Sequence, residues 1–362
     1  MNIQSVINMA RPEIRALKSY DNLRGTSSVE AIILDSNENI ASPDATLTKE
    51  KRFRYPEIRA QQLIERLAGI YQVRAEQIML GRGSDDVIDS LCRVFLRAGQ
   101  DAILQTTPCF SMYSISAQIQ GAVSKSVALD SANDFAYDVD AILNAIRPEV
   151  KLIFLATPQS PTGNSLAKND VLRLLDASQD RCVVVIDEAY IEFSPHASMA
   201  SLLDKYPNLI IMRTLSKAYG LANLRCGAML AHPDVVKLVR KVVTPYALPG
   251  IVVDTTYAAL EPENLEAIRQ INASMPKRKQ ALQALVYKQA WCQGIVSGDT
   301  NFILVKTDKA QALNEFLETQ QIYIRSFSPS SELGDYLRFS VGNFAEIDTL
   351  QQAFEQFANR NF

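Results

Sequence analysis

What most constrains this chain is the alternation of short apolar runs with amphipathic stretches. Ile78–Leu80, Ala102–Gln105, Leu152–Ala156, Val183–Asp187, Leu209–Arg213 and Gly227–Ala231 are such runs, and several are unbroken. An unbroken run, unlike one with a period of two, suits a strand covered on both faces. Elsewhere the apolar residues recur at helical spacing. Leu63, Ile64, Leu67 and Ile70 do so within 59–71, and Val87, Ile88, Leu91, Cys92 and Phe95 share one face of 84–96. This grammar predicts an α/β fold whose mostly parallel sheet is flanked by helices.

The last hundred residues change character. A helical pattern fills 261–289, strands are expected at Phe302–Val305, Ile322–Ile324 and Leu337–Val341, and helices near 310–319 and 347–358. With 362 residues in all, the chain reads as a large domain and a smaller α/β domain.

Composition excludes several functions. A net charge of −3 with no basic run argues against a nucleic-acid binder. No apolar run of 18 residues and no signal-like N-terminus is visible, so neither membrane nor export is expected. Five scattered cysteines without a C-x-x-C pair indicate neither a disulfide framework nor a zinc site, and fit a reducing cytoplasm. His196 and His232 are the only histidines, too few for a histidine-rich metal site and poorly placed for a hydrolytic triad. Proton transfer, if the chain is an enzyme, falls to another residue type or to a cofactor.

The residues that could carry chemistry follow the apolar runs. Thr214, Ser216 and Lys217 come directly after Leu209–Arg213, with Arg225 eight residues beyond the lysine. A lysine at the carboxyl end of a buried strand points into the crevice where α/β proteins bind ligands. Burial there would lower its pKa and make it a competent amine nucleophile, whereas a lone Ser-Lys pair also reads as a solvated loop. Asp187 ends a run of four apolar residues and needs either a cationic partner or a turn to cap. Gly81-Arg-Gly83-Ser84-Asp85-Asp86 offers open backbone N–H groups to an anion, or is simply a strand-to-helix junction with Ser84 as its cap. It is not a dinucleotide fingerprint, since Asp86 stands at the third glycine position. Gln159-Ser160-Pro161-Thr162-Gly163 is a rigid turn, and Phe110 and Tyr113 present rings near a strand end.

In this order, these motifs resemble the fold-type I aminotransferases that use pyridoxal 5′-phosphate (PLP). The resemblance is carried by Asp187-Glu-Ala-Tyr190, by Thr214-Leu-Ser-Lys217 with Leu224-Arg225-Cys-Gly227, and by Leu337-Arg338-Phe-Ser-Val-Gly342. Within that group the N-terminal part, with Tyr20 and Tyr55, is similar to the branch acting on histidinol phosphate with glutamate and 2-oxoglutarate. The resemblance implies that Lys217 holds PLP, Asp187 keeps the pyridine nitrogen protonated, and Tyr190 bonds O3′. It gives the phosphate to Gly83, Ser84, Asp85, Thr214, Ser216 and Arg225, and the ring face to Phe110. Tyr20, Asn37, Tyr55, Arg325 and Arg338 are the implied substrate residues, Tyr55 reaching across a homodimer. Ser160 stands where the family has an asparagine that donates to O3′. On this basis residues 1–45 form an arm and part of the small domain, 46–255 the large PLP-binding domain, and 256–362 the small domain.

Overall fold

The computed structural model describes residues 2–18, 55–57 and 60–359. The strands are β1 (Ile78–Gly81), β2 (Ala102–Thr107), β3 (Val123–Ala128), β4 (Val150–Ala156), β5 (Val183–Asp187), β6 (Leu209–Thr214), β7 (Gly227–Ala231), β8 (Gly294–Val296), β9 (Phe302–Lys306), β10 (Arg325–Ser326) and β11 (Tyr336–Ser340). The first seven make one sheet in the order β1-β7-β6-β5-β4-β2-β3. Only β7 runs against its neighbours; β6-β5-β4-β2-β3 are parallel throughout. The expected α/β architecture with a mostly parallel sheet is therefore what the chain forms.

The unbroken runs are the central strands. Every residue of β5, β6 and β7 is buried, with one apolar cluster on each face of the sheet. One includes Leu63, Leu67, Ile186, Ile211 and Leu230; the other includes Ile88, Leu91, Phe95, Val185 and Met212. The helix Ser84–Phe95 supplies the second cluster through the stripe read from its sequence, with Val87, Ile88, Leu91, Cys92 and Phe95 all buried.

Strands β10-β11-β9-β8 form a second, antiparallel sheet. The helices Met275–Tyr287, Ala310–Thr319 and Phe344–Ala358 cover it around Leu282, Phe316, Phe339 and Phe354.

Several expectations are corrected. Ile322–Ile324 is not a strand; pairing with β11 begins at Arg325, after a turn at Gln321 with φ of +59°. The helical stretch 261–289 is two helices, Pro262–Ala273 and Met275–Tyr287, divided at Ser274 ahead of Pro276. Of the residues 1–45 expected to form an arm and part of the small domain, 2–18 are described; within them residues 3–10 pack on the large sheet's cluster, with Val6 fully buried and Arg11 N donating to Val94 O at 3.0 Å. The boundary expected at 255/256 falls inside the helix Gly250–Ala259.

Candidate active site

Each parallel strand of the large sheet ends at the same edge, and the residues just past those ends surround one cavity of about 900 Å³. Phe110 follows β2, Ser160 follows β4, Tyr190 follows β5, and Ser216 and Lys217 follow β6. This is the crevice where open α/β sheets bind ligands. Arg325 and Arg338 close it from the second sheet.

At its floor lies Asp187, 6% exposed. Its Oδ2 accepts from Tyr113 Oη at 2.7 Å and its Oδ1 from the Ala189 amide at 3.0 Å, so it caps the following turn and still faces the cavity. Burial pushes its carboxyl above the ordinary aspartate value, and the two donors only partly offset that. A cationic N–H donor from a bound ring would answer this buried carboxylate. Tyr190 stands edge-on to Phe302 at 5.4 Å, and Lys217 Nζ lies 5.8 Å from the Tyr190 ring centre. Lys217 is not buried as its place in the sequence suggests. The chain turns out of β6 before it, leaving the side chain exposed at the cavity.

The other end of the cavity is built for an anion. Gly83, not Ser84, is the N-cap of the helix Ser84–Phe95, and no side chain caps it. The first-turn N–H groups thus remain open to a phosphate. Gly83 has φ of +85°, a conformation that favours glycine, and a Cβ there would meet Arg225 Nη2 at 2.6 Å and push the guanidinium aside. Arg225 reaches Asp85 Oδ2 at 3.2 Å and Ser216 Oγ at 3.5 Å, while Thr214 Oγ1 accepts from the Ser216 amide at 3.1 Å. A buried carboxylate, an exposed lysine and an aromatic wall, with hydroxyls and a guanidinium at a helix start, match the ring nitrogen, aldehyde, ring face and phosphate of PLP. The residues present fit that group.

The remaining wall joins the two sheets. Arg325 and Arg338 are directly opposed on β10 and β11, two like charges that an antiparallel pair would avoid without an anion to share. Arg338 Nη1 donates to Ser160 Oγ at 3.1 Å, while its Nε is buried without a partner. Burial and the neighbouring Arg325 hold the Arg338 guanidinium below its ordinary value. Ser160 belongs to a turn gripped from behind. Asp299 N donates to Gly163 O at 2.7 Å, and a Cβ on Gly298 would run into the Gly163 backbone. Lys279, 8% exposed, donates to the carbonyls of Ser297, Gly298 (2.6 Å) and Thr300 (2.8 Å), fixing the loop that presses on this turn.

Tyr55 lies apart from this cavity, 52% exposed and stacked on Tyr246 at 4.7 Å. Tyr20 and Asn37 lie outside the described residues. Two contributors, Lys279 and Arg213, are not among the candidates read from the sequence, and a third, Tyr113, acts otherwise than its sequence suggests. Tyr113 matters through its hydroxyl rather than its ring face, which stacks on Phe154 at 4.9 Å. Lys279 carried no motif. Arg213, 6% exposed, pairs with Glu192 at 2.6 Å and Glu188 at 3.5 Å beneath the site, and a charge inside an apolar run already demanded such partners. Among the described residues no group of three or more histidine, cysteine or acidic side chains could hold a metal ion.

The model of the family described as aminotransferase class I and II matches residues 16–354. The chain is 34% identical over 354 residues to histidinol-phosphate aminotransferase 1 of Haemophilus influenzae, covering 98% of this chain and 96% of that one. It is 35% identical to the histidinol-phosphate aminotransferase of Yersinia pseudotuberculosis, covering 98% and 92%. The crystal structure of histidinol-phosphate aminotransferase from Sinorhizobium meliloti, in complex with pyridoxal 5′-phosphate, superposes with a TM-score of 0.75 at 24% identity, over 84% of each chain.

Proposed function

Since the chain belongs to the class I and II aminotransferases, which work with PLP, we propose that it exchanges the amino group of L-histidinol phosphate with 2-oxoglutarate. The products are imidazole acetol phosphate and glutamate, a step of histidine biosynthesis. The observation that carries the substrate reading is the opposed Arg325–Arg338 pair, a dianion-sized concentration of positive charge across from Lys217. It suits the phosphate ester of one substrate and the carboxylates of the other. The full-length relatives of that name support the same choice.

When bound, PLP supplies the aldehyde that takes up the amine and a ring able to delocalise the electrons left at Cα. Lys217 Nζ would hold the cofactor and, once displaced by the substrate amine, take the proton from substrate Cα. The Asp187 carboxylate would hold a proton on the ring nitrogen, and Tyr113 orients it for that task. Tyr190 would donate to O3′. Gly83, Ser84, Asp85, Thr214, Ser216 and Arg225 would anchor the phosphate, and Phe110 would cover one face of the ring. Arg338 and Arg325 orient the anionic end of each substrate, with Ser160 steadying Arg338 where the family asparagine would stand.

Tyr55 fits a contribution in trans, because its exposed ring stands away from its own cavity, and this supports a homodimer with shared sites. No described helix is long and apolar enough to cross a membrane. Five free cysteines, three of them buried, support a reducing cytoplasmic setting.

The test is an assay of purified, PLP-loaded protein with histidinol phosphate and 2-oxoglutarate, following glutamate. Turnover should exceed that with phenylalanine, and threonine phosphate should release no CO₂. Preference for phenylalanine, or decarboxylation of threonine phosphate, would replace the reading with that of a related PLP enzyme.

A further inference from the structure

One carboxylate at the cavity has no place in the chemistry above. Glu332 lies on the segment between β10 and β11, and its Oε2 accepts from Thr107 Oγ1 at 3.4 Å. The cavity's other two carboxylates are committed, Asp85 to Arg225 and Asp187 to Tyr113 and the Ala189 amide. Glu332 forms no ion pair among the described residues, although both arginines line the same cavity. It sits at the end of β2 beside Thr107 and Cys109, where its charge helps to hold the Cys109 thiol up near 12 after burial has raised it. A carboxylate outside any ion pair of the described residues and a guanidinium pair thus line the same cavity.

We propose that Glu332 selects the substrate's ring, its carboxylate accepting the imidazole N–H while Arg325 and Arg338 take the phosphate. This rests on the reading of histidinol phosphate as substrate. Three arms diverge from that molecule's Cα. The amine must face Lys217 and the phosphate the arginine pair, so the third arm, which carries the imidazole, meets the wall formed by Thr107 and Glu332. An imidazole beside a carboxylate gains a charge-assisted hydrogen bond when protonated and an ordinary one when neutral. Glutamate has no such donor, and its side-chain carboxylate goes to the arginines without contact with Glu332. One residue thereby separates the two amino substrates that must share the site.

The experiment compares histidinol phosphate with phenylalaninol phosphate, which keeps the amine and phosphate but replaces imidazole by phenyl. In Glu332→Ala, the ratio of kcat/KM for the two should fall about ten- to a hundredfold. The half-reaction with glutamate should stay within about twofold, an effect no larger than an ordinary surface substitution. In the PLP-loaded Lys217→Ala background, calorimetry should show histidinol phosphate binding weakened to the same degree by Glu332→Ala. Glu332 is exposed, and an unchanged melting temperature shows that the variant is folded. If wild type uses histidinol phosphate and the ratio and the Kd do not move, or glutamate suffers equally, the assignment of Glu332 falls and the substrate reading stands. If wild type does not use histidinol phosphate at all, both fall.

Discussion

The floor of the cavity and its seam are made in different ways. Asp187, Tyr190, Thr214, Ser216 and Lys217 come from the ends of two adjacent strands, β5 and β6, every residue of which is buried. Ser160, Arg338, Arg325 and Lys279 come from segments up to 178 residues apart and meet only because two sheets are pressed together. The floor is held by the large sheet itself, whose central strands are buried on both faces. At the seam, position depends on contacts between separate segments, among them a lysine on three carbonyls, two glycines in backbone contact, a serine–arginine hydrogen bond, and an apolar cluster of Leu129 and Phe135 with Leu304 and Leu333. Bond-making chemistry thus sits on the rigid element, and substrate discrimination on the adjustable one.

The largest expected effect separates these regions cleanly. Lys217→Ala removes the amine assigned to proton transfer, and kcat should fall on the order of 10³-fold or more. Because Lys217 is exposed, the cofactor-free variant should unfold within about 0.5 kcal/mol of wild type. Steady-state kinetics and urea denaturation of the same preparation check both halves. A large loss of stability would mean that the floor is not independent of the groups it displays.

Lys279→Met should do the reverse. It leaves the buried Thr300 carbonyl and the part-buried Ser297 and Gly298 contacts without their donor, at an expected cost of about 1–3 kcal/mol, set mainly by the buried carbonyl. The loop would then loosen against Gly163, so KM for both substrates should rise severalfold while kcat changes little. A fall in kcat with KM unchanged would show that the seam takes part in the chemistry, and would erase the distinction.

How much could be read from the sequence follows the same line. β5, β6 and β7 are legible because burial on both faces writes itself as unbroken apolar runs, and the floor residues are legible because they directly follow them. β3 escaped notice because Val123–Ala128 is a half-exposed edge strand, in which polar residues replace the apolar signature. The seam is largely silent. Nothing around Lys279 marks a lysine that will be buried, and nothing around Glu332 marks a carboxylate that will face Thr107. Arg325 and Arg338 became visible through resemblance alone, as their opposition on β10 and β11 is a fact of register. Residues 3–10 read as part of an arm because two short helices leave too little periodicity to reveal the face they bury.

The smallest expected effect tests the floor by pH. Burial holds the Asp187 carboxyl above the ordinary aspartate value of 3.8. From that value up to the raised one, the folded chain keeps a proton that the unfolded chain has already released. With fewer protons on the unfolded state, unfolding free energy falls as pH rises through this window and levels off above it. Glu188, buried beside Asp187 and raised for the same reason, adds a slope of the same sign, so the Asp187 share must be isolated by difference. In cofactor-free protein, urea midpoints measured from pH 4 upward should decline more steeply for wild type than for Asp187→Asn, the two curves becoming parallel once the carboxyl has ionised. Saturation with PLP should shrink that difference, because a ring N–H then stabilises the charged form of Asp187. Parallel curves in the cofactor-free protein would mean that Tyr113 and the Ala189 amide already compensate the carboxylate in full. The floor would then owe nothing to the cofactor it is built to face.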